Sequence, residues 1–137
     1  MALFEWKAEY NLGIASIDRQ HRRLVAMINA LDDGLNTQGR YSETVLKRIF
    51  IELGDYTASH FSYEENLFEI HGYADTEAHK QEHLALLDQV VDLQMRVQSG
   101  ETEIGPELLA FLKRWLTSHI LGSDRRYAGF LIDKGVE

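Results

Sequence analysis

The sequence predicts an all-α fold: an up-down-up-down four-helix bundle with an N-terminal arm and a short C-terminal helical tail. Apolar residues recur at intervals of three and four along four separate segments, the spacing that places them on one face of a helix. A single proline in 137 residues suits long helices, because proline interrupts helix interiors. No segment alternates apolar and polar residues over the length of a strand. We therefore expect residues 1–137 to form one domain of four amphipathic helices joined by short loops.

The first two helices have recognisable ends. After an arm of about 15 residues, the first helix is predicted to begin near Ser16, a candidate N-cap, and to stop in the segment 36–40 around Gly39. The second is predicted to run from Ser42 to the break at Gly72.

The last two helices are bounded in the same way. Asp75 is a suitable N-cap for the third helix, which is predicted to end at Gly100. Pro106 stands at the first helical position of the fourth helix, where its missing N–H costs nothing. That helix continues to Gly122, and the residues after it form the tail.

Composition excludes several classes of protein. The chain has 22 acidic and 14 basic residues, a formal charge of -8, which argues against binding to nucleic acid or to an anionic membrane surface. Cysteine is absent, so disulfides, thiolate metal sites and cysteine nucleophiles are excluded. No apolar run reaches the roughly 20 residues that span a bilayer, and the first residues lack the basic region of a signal peptide. We expect a cytoplasmic monomer.

Histidines on the core-facing helix sides are the most informative feature. A lone core histidine is usually a structural group with a hydrogen-bond partner. Burying five of them without partners would cost about 1–3 kcal/mol each, which is comparable in sum to the stability of a whole domain. A metal would take up their lone pairs directly. Five of the six histidines fall on these faces: His21, His60, His79, His83 and His119.

The spacing of these residues favours a metal site. His60 and Glu64 are four apart, as are His79 and His83, so each pair projects from one side of its helix, about 40° apart and one turn along. Asp124 follows His119 by five residues, about 140° on a regular helix. The helix is predicted to loosen around Gly122, which would turn Asp124 towards the bundle axis; otherwise Asp124 is a surface residue.

The candidate ligands are therefore five imidazoles and two carboxylates, with no sulfur. Such a set suits iron, zinc, copper or nickel. Seven ligands exceed what one transition metal takes. Two metals bridged by both carboxylates account for them, with three imidazoles on one metal and two on the other. With a solvent-derived bridge the first metal reaches six ligands, and the second stops at five and keeps one open position.

The four segments that carry these ligands resemble the hemerythrin signature, complete and in order. They are His21, His60-Phe-Ser-Tyr-Glu64, His79-Lys-Gln-Glu-His83 and His119-Ile-Leu-Gly-Ser-Asp124. The lead-in from Trp6 through Gly13 to His21 and the block Trp115-Leu-Thr-Ser-His119 resemble bacterial hemerythrins, so the resemblance covers essentially the whole chain. Family members often have Tyr-Pro in the loop after the second helix, where this chain has Tyr73-Ala74.

The resemblance implies a non-haem di-iron centre with an oxo or hydroxo bridge that binds O2 reversibly, for oxygen carriage, storage or delivery. It assigns His79, His83 and His119 to one iron. The open iron falls to His21 and His60, and Glu64 and Asp124 are the bridges.

A dry pocket should surround the open iron, so that oxygen reaches it while water and anions are discouraged. The candidates for this O2 pocket are Leu24, Phe61, Leu116 and Ile120, with Leu121 beside them. Each would be a core residue in any case. Tyr56, Tyr63 and Tyr127 are candidates for hydrogen bonds to the ligands, or are partly buried tyrosines without such a role.

Other interpretations explain less of the sequence. The pattern His79-Lys-Gln-Glu-His83 also matches an inverted zinc-protease motif with Glu82 as base, but it leaves three core histidines unused. Ferritin-like oxidases use Glu-x-x-His pairs, which do not occur here. His71, beside Gly72, is interpreted as a helix C-terminal cation.

We expect a binding protein rather than an enzyme, with possible transient docking to an oxygen-consuming enzyme. O2 or redox sensing through a separate partner, and scavenging of nitric oxide or peroxide, remain the alternatives.

Overall fold

A computed structural model describes residues 3–36 and 42–137, except for the side chains of Asn36, Ile120 and Leu121. The described chain is helical and contains no strand, which confirms the all-α prediction. Its elements are a 3₁₀ turn in the arm (Ala8–Tyr10), α1 (Ala15–Asn36), α2 (Glu43–His71), α3 (Thr76–Gln98), α4 (Pro106–Ser118), a π-helical turn (His119–Asp124) and α5 (Arg125–Asp133).

The four long helices pack as a bundle. α1 lies against α2 and α4, and α2 lies against α3. α4 is joined to α3 by the indole N–H of Trp115, which donates to the carbonyl oxygen of Leu86 at 3.2 Å. The tail, α5, packs against α2.

Most helix ends follow the predicted signals. The Ser42 hydroxyl accepts a hydrogen bond from the Val45 N–H at 3.3 Å, as an N-cap does. Gly72 ends α2 with φ of 70°, a left-handed conformation that glycine adopts without strain. Asp75 precedes α3, but its side chain makes no capping hydrogen bond. The predicted stop of the first helix falls partly on 37–40, outside the described residues.

The start of α1 differs from the prediction. Ser16 lies inside the helix, and its buried hydroxyl has no hydrogen-bond partner among the described residues. Asp18 satisfies the backbone instead, because its carboxylate accepts from the N–H groups of Leu12 at 2.8 Å and Gly13 at 3.2 Å. The prediction of Ser16 as cap was wrong, since the carboxylate of Asp18, two residues further on, folds back to the chain that enters the helix.

Two apolar clusters fill the bundle interior. The larger includes Leu24 of α1, Leu53 and Phe61 of α2, and Leu112 and Leu116 of α4. The smaller is formed by residues nearer the start of α1, the end of α2 and α5: Leu12, Ile14, Ile17, Phe68, Tyr127, Ala128 and Leu131. Along α1, α2 and the α4–α5 region, the chain passes from one cluster to the other through the positions of the candidate ligands. The core therefore has a polar layer between two apolar ones.

Candidate metal centre

All seven predicted ligands lie together in this polar layer. Each is a member of at least one group of ligand atoms that lie within 4.8 Å of one another. None is more than 3% exposed: His21, His60, Glu64, His79, His83, His119 and Asp124.

Regular helix geometry positions two of the ligand pairs. His60 and Glu64 project from the same side of α2, with 3.3 Å between Nε2 and Oε1. His79 and His83 project from α3, with ring centroids 4.6 Å apart. The ring of His21 on α1 lies 4.7 Å from that of His60, so the histidines form a His21–His60 pair and a His79–His83 pair.

A π-helical turn positions the last pair. His119 and Asp124 are its first and last residues, and the distance from Nε2 to Oδ2 is 2.7 Å. A π-helix repeats its hydrogen bonds at five residues instead of four, so side chains five apart come to the same side. Asp124 is fully buried. The predicted loosening of the helix is confirmed, and the surface interpretation of Asp124 is excluded.

Each carboxylate contacts both histidine pairs. Asp124 places Oδ2 2.8 Å from Nε2 of His21 and Oδ1 3.1 Å from Nε2 of His79. The Oε1 atom of Glu64 lies 3.3 Å from Nε2 of His60 and 3.1 Å from Nε2 of His83. Two carboxylates shared between two imidazole pairs have the arrangement of bridging ligands.

His119 lies between the two pairs. Its ring centroid is 5.5 Å from that of His83, 5.8 Å from those of His21 and His60, and 6.4 Å from that of His79. By ligand-atom distances it groups with His21, His60 and the carboxylates. The resemblance instead assigns it to the other iron, so that assignment stays a prediction.

The imidazoles keep the buried Asp124 ionised. Burial alone would raise the pKa of this carboxyl, but the adjacent His119 and hydrogen bonds from the surrounding imidazoles lower it well below its usual value. For the imidazole of His60, burial disfavours the charged form and therefore lowers the pKa. For His21, burial acts in the same direction and is the largest single effect, but the hydrogen bond to Asp124 and the nearby negative charges of Asp124, Glu64 and Asp18 together outweigh it, and the pKa is raised. The centre thus combines an anionic carboxylate, Asp124, with a neighbouring imidazole, His60, that favours the neutral form.

Among the described residues, several inward-facing atoms make no well-aligned hydrogen bond, although each lies 2.7–3.3 Å from a polar atom of a neighbouring candidate ligand. They are Nε2 of His60, His83 and His119 and Oε1 of Glu64, all buried. Buried polar atoms without partners are rare in folded proteins because their desolvation is uncompensated. These are also the atoms that a cation between the two pairs would contact, and imidazole nitrogen with carboxylate oxygen is a suitable donor set for iron. The residues therefore fit a pair of metal ions.

Three side chains support the ligands from outside. Tyr127, fully buried, donates its hydroxyl hydrogen to Oε2 of Glu64, as one interpretation of this tyrosine predicted. Oε1 of Gln20 lies 2.6 Å from Nδ1 of His60, and Oε2 of Glu65 lies 2.7 Å from Nδ1 of His83. Gln20 and Glu65 were missed, although each directly adjoins a ligand in sequence.

The other two candidate tyrosines have different neighbours. Tyr56 is half-buried, and the guanidinium carbon of Arg23 lies 5.0 Å from the centroid of the Tyr56 ring. Tyr63 is half-buried against the smaller apolar cluster.

Apolar side chains lie next to the centre. Phe61 stacks on His83 with ring centroids 3.9 Å apart and lies 5.0 Å from His119. Leu24 and Leu116 are buried in the same cluster as Phe61. The side chains of Ile120 and Leu121 lie outside the described residues.

The geometry agrees with setting the protease motif aside and with the position predicted for His71 at a helix end. Glu82 is half-buried on α3 and pairs with Arg126 at 2.9 Å, and it is not a member of the ligand-atom groups found among the described residues. His71 is the last residue of α2, next to the Gly72 C-cap.

Fold and site together define a class: a four-helix bundle whose interior carries a histidine–carboxylate metal centre. The model of the hemerythrin HHE cation-binding domain matches residues 12–131. A bacteriohemerythrin of Stenotrophomonas maltophilia is 41% identical over 128 residues, covering 93% of this chain and 81% of that protein. One from Pseudomonas paraeruginosa is 42% identical over 127 residues, covering 93% and 80%. The crystal structure of a wild-type hemerythrin superposes with a TM-score of 0.85 at 32% identity, covering 95% of this chain and 98% of that one.

The chain belongs to the hemerythrin family. Its family and fold are those of di-iron, oxygen-binding proteins. None of the described helices has the length and apolar character needed to cross a membrane.

Proposed function

We propose that this chain holds two iron ions in the polar layer and binds O2 reversibly, for oxygen carriage, storage or delivery. The observation that carries the proposal is the sharing of both carboxylates, Glu64 and Asp124, between two imidazole pairs. His21 and His60 would hold one ion and His79 and His83 the other, with His119 as a further ligand. Two ferrous ions held by these residues would supply the electrons that reversible O2 binding requires.

The protein's own residues would keep the site dry and the bridge in place. Leu24, Phe61 and Leu116 present apolar surface beside the ligands, which disfavours water and anions there. Tyr127 fixes one oxygen of Glu64, leaving the other directed at His60 and His83. Burial raises the pKa of Tyr127 well above its usual value, so it stays protonated and remains a donor.

Binding without turnover is part of the proposal. The seven ligands are buried between two apolar clusters, which favours a small apolar guest such as O2 over a polar substrate. Delivery would involve transient docking to an oxygen-consuming enzyme, with the chain acting as a cytoplasmic monomer.

Anaerobic reconstitution tests the proposal. Metal-free protein is loaded with ferrous iron, the bound iron is counted, and the sample is cycled between air and deoxygenation. We expect two irons per chain and a visible charge-transfer band that appears and disappears reversibly. Immediate irreversible oxidation would favour redox sensing or scavenging, and uptake of fewer than two irons would overturn the site. The matched control is His71→Ala, which removes the histidine outside the layer and should leave uptake unchanged.

A further inference from the structure

The two histidine pairs differ in what holds their outer ring nitrogens. Nδ1 of His60 faces the amide oxygen of Gln20 at 2.6 Å, and Nδ1 of His83 faces a carboxylate oxygen of Glu65 at 2.7 Å. The two contacts are almost equal in length. They differ in charge, because one acceptor is a neutral amide and the other is an anion.

In both histidines the opposite nitrogen faces the centre. Nε2 lies 3.3 Å from Oε1 of Glu64 in His60 and 3.1 Å from the same atom in His83. When Nε2 binds a cation, the ring hydrogen sits on Nδ1 and is donated outwards. A carboxylate that accepts this hydrogen makes the imidazole a more basic ligand, and such outer partners commonly change metal affinity by about 10–100-fold. A neutral amide accepts the same hydrogen with less effect on the ring.

The surroundings of Glu65 suit this role. Its side chain is 27% exposed and lines a surface cavity of about 340 Å³ together with Phe61, Lys80 and His83, so water reaches the carboxylate from outside. Phe61 lies flat on the His83 ring, with an interplanar angle of 4°, and fixes the ring plane relative to Glu65. The contact therefore joins the imidazole of His83, whose orientation is fixed, to the water-accessible carboxylate of Glu65.

We propose that Glu65 and Gln20 make the two halves of the centre unequal. Glu65 strengthens cation binding by the His79–His83 half, and Gln20 leaves the His21–His60 half without that increment. Both are positioning residues that act through a ligand. The inference rests on the proposed two-metal centre but not on which half His119 joins.

Titration with Co²⁺ alone tests the inference. Metal-free protein is titrated anaerobically against a competing chelator, and the two binding steps are resolved. Glu65→Gln should weaken one step by about 10–100-fold and leave the other unchanged. Gln20→Glu should tighten the other step, and because it is a gain of affinity, a folding defect cannot imitate it.

A spectroscopic signature links each step to its half. Hydrogens on imidazole rings bound to Co²⁺ give strongly shifted, exchangeable proton signals. The signal that moves in Glu65→Gln should appear during the step whose affinity falls, and a different signal should move in Gln20→Glu. Glu69→Gln is the matched control: it removes the same charge one turn further along α2, from an exposed glutamate paired with Lys80, and should change neither step.

The outcomes separate the two proposals. If wild-type protein binds two Co²⁺ but Glu65→Gln shifts both steps equally or neither, the inequality is refuted and the two-metal centre stands. An equal effect of Glu69→Gln would also refute it, because general electrostatics would then explain the change. If the wild-type protein does not bind two cations, the proposed centre fails, and the inference fails with it.

Discussion

Two regions of the bundle each supply one histidine and one carboxylate, and they do so with different helix geometry. In α2, His60 and Glu64 are four residues apart in a regular helix of 29 residues. Between α4 and α5, His119 and Asp124 are five apart, and the backbone widens into a π-helical turn of six residues. The pairs end in similar contacts, 3.3 Å and 2.7 Å from nitrogen to oxygen.

The difference between the two regions lies in the backbone, which departs from regular helix geometry only where the two side chains are five residues apart. A spacing of four needs nothing beyond the ordinary helix. A spacing of five converges only if the helix departs from its preferred hydrogen bonding, and such π-helical turns are rare and are found mostly at functional sites. The turn lies between apolar anchors, with Leu116 buried before it and Tyr127 after it. Packing on both sides can thus hold a less favourable backbone, and this backbone brings His119 and Asp124 together.

Removing either carboxylate should have the largest effect. Glu64→Ala and Asp124→Ala should each abolish the paired site, since both residues contact both histidine pairs. Iron per chain should fall from two to one or fewer, measured by metal analysis, while circular dichroism shows a folded bundle. Retention of two irons in either variant would mean that its carboxylate is not a bridge.

A change in the spacing between His119 and Asp124 should have the next largest effect. An alanine inserted after Gly122 rotates Asp124 by about 100° away from His119 and should remove the metal pair. Deletion of Gly122 brings the spacing to four, as in α2, and should retain two metals in a regular helix. Metal counts distinguish these cases. Equal loss in both variants would show that the site needs the π-helical turn itself.

A polar side chain introduced beside the candidate ligands should speed the irreversible oxidation of bound iron. Leu116 is fully buried one turn before His119, so Leu116→Thr should admit water and speed irreversible oxidation of the iron in air by several-fold. The decay of the visible band measures this rate. Leu112→Thr, one turn earlier in the same cluster, controls for lost packing. An unchanged oxidation rate in Leu116→Thr would contradict the dry-pocket hypothesis.

Two glycines, one from each region, should give the smallest effects. A Cβ on Gly54 of α2 would lie 2.2 Å from Nε2 of Gln94, which donates to the carbonyl oxygen of Phe50 at 3.0 Å. Gly54→Ala gains up to about 1 kcal/mol of helix propensity and loses a hydrogen bond of similar value, for a net change near zero. A Cβ on Gly122 meets nothing within 4 Å, so Gly122→Ala should stabilise by about 0.4–1 kcal/mol. Chemical denaturation measures both. Destabilisation by Gly122→Ala would show that the widened turn depends on glycine.

The grouping of the candidate ligands could be predicted from the sequence because periodicity and spacing are local properties. His60, Glu64, His79 and His83 follow from the helical repeat alone, and a polar residue on an apolar face is conspicuous. The π-helical turn was predicted only as a loosening, since nothing in the sequence states which wider helix forms.

The outer partners could not be predicted in this way. Gln20 meets a histidine 40 residues away, and Glu65 meets one 18 residues away, so both contacts depend on how the helices pack. Asp18 was missed as the residue that satisfies the start of α1 because carboxylates usually cap from before a helix. Here the arm before α1 lies close enough for Asp18, inside the helix, to accept from its N–H groups, and the path of the arm is not a local property of the sequence.

The polar layer also has a consequence for the order of folding. Its ligands begin at His21 and end at Asp124, and the contact between these two residues spans 103 positions. Contacts within and between neighbouring helices join residues close in sequence and can form early, whereas this contact must wait until both ends of the chain have met. Capture of a cation by the full set of candidate ligands would therefore be a late event. A nascent chain that stops short of Asp124 could not complete it, however well its first three helices had formed.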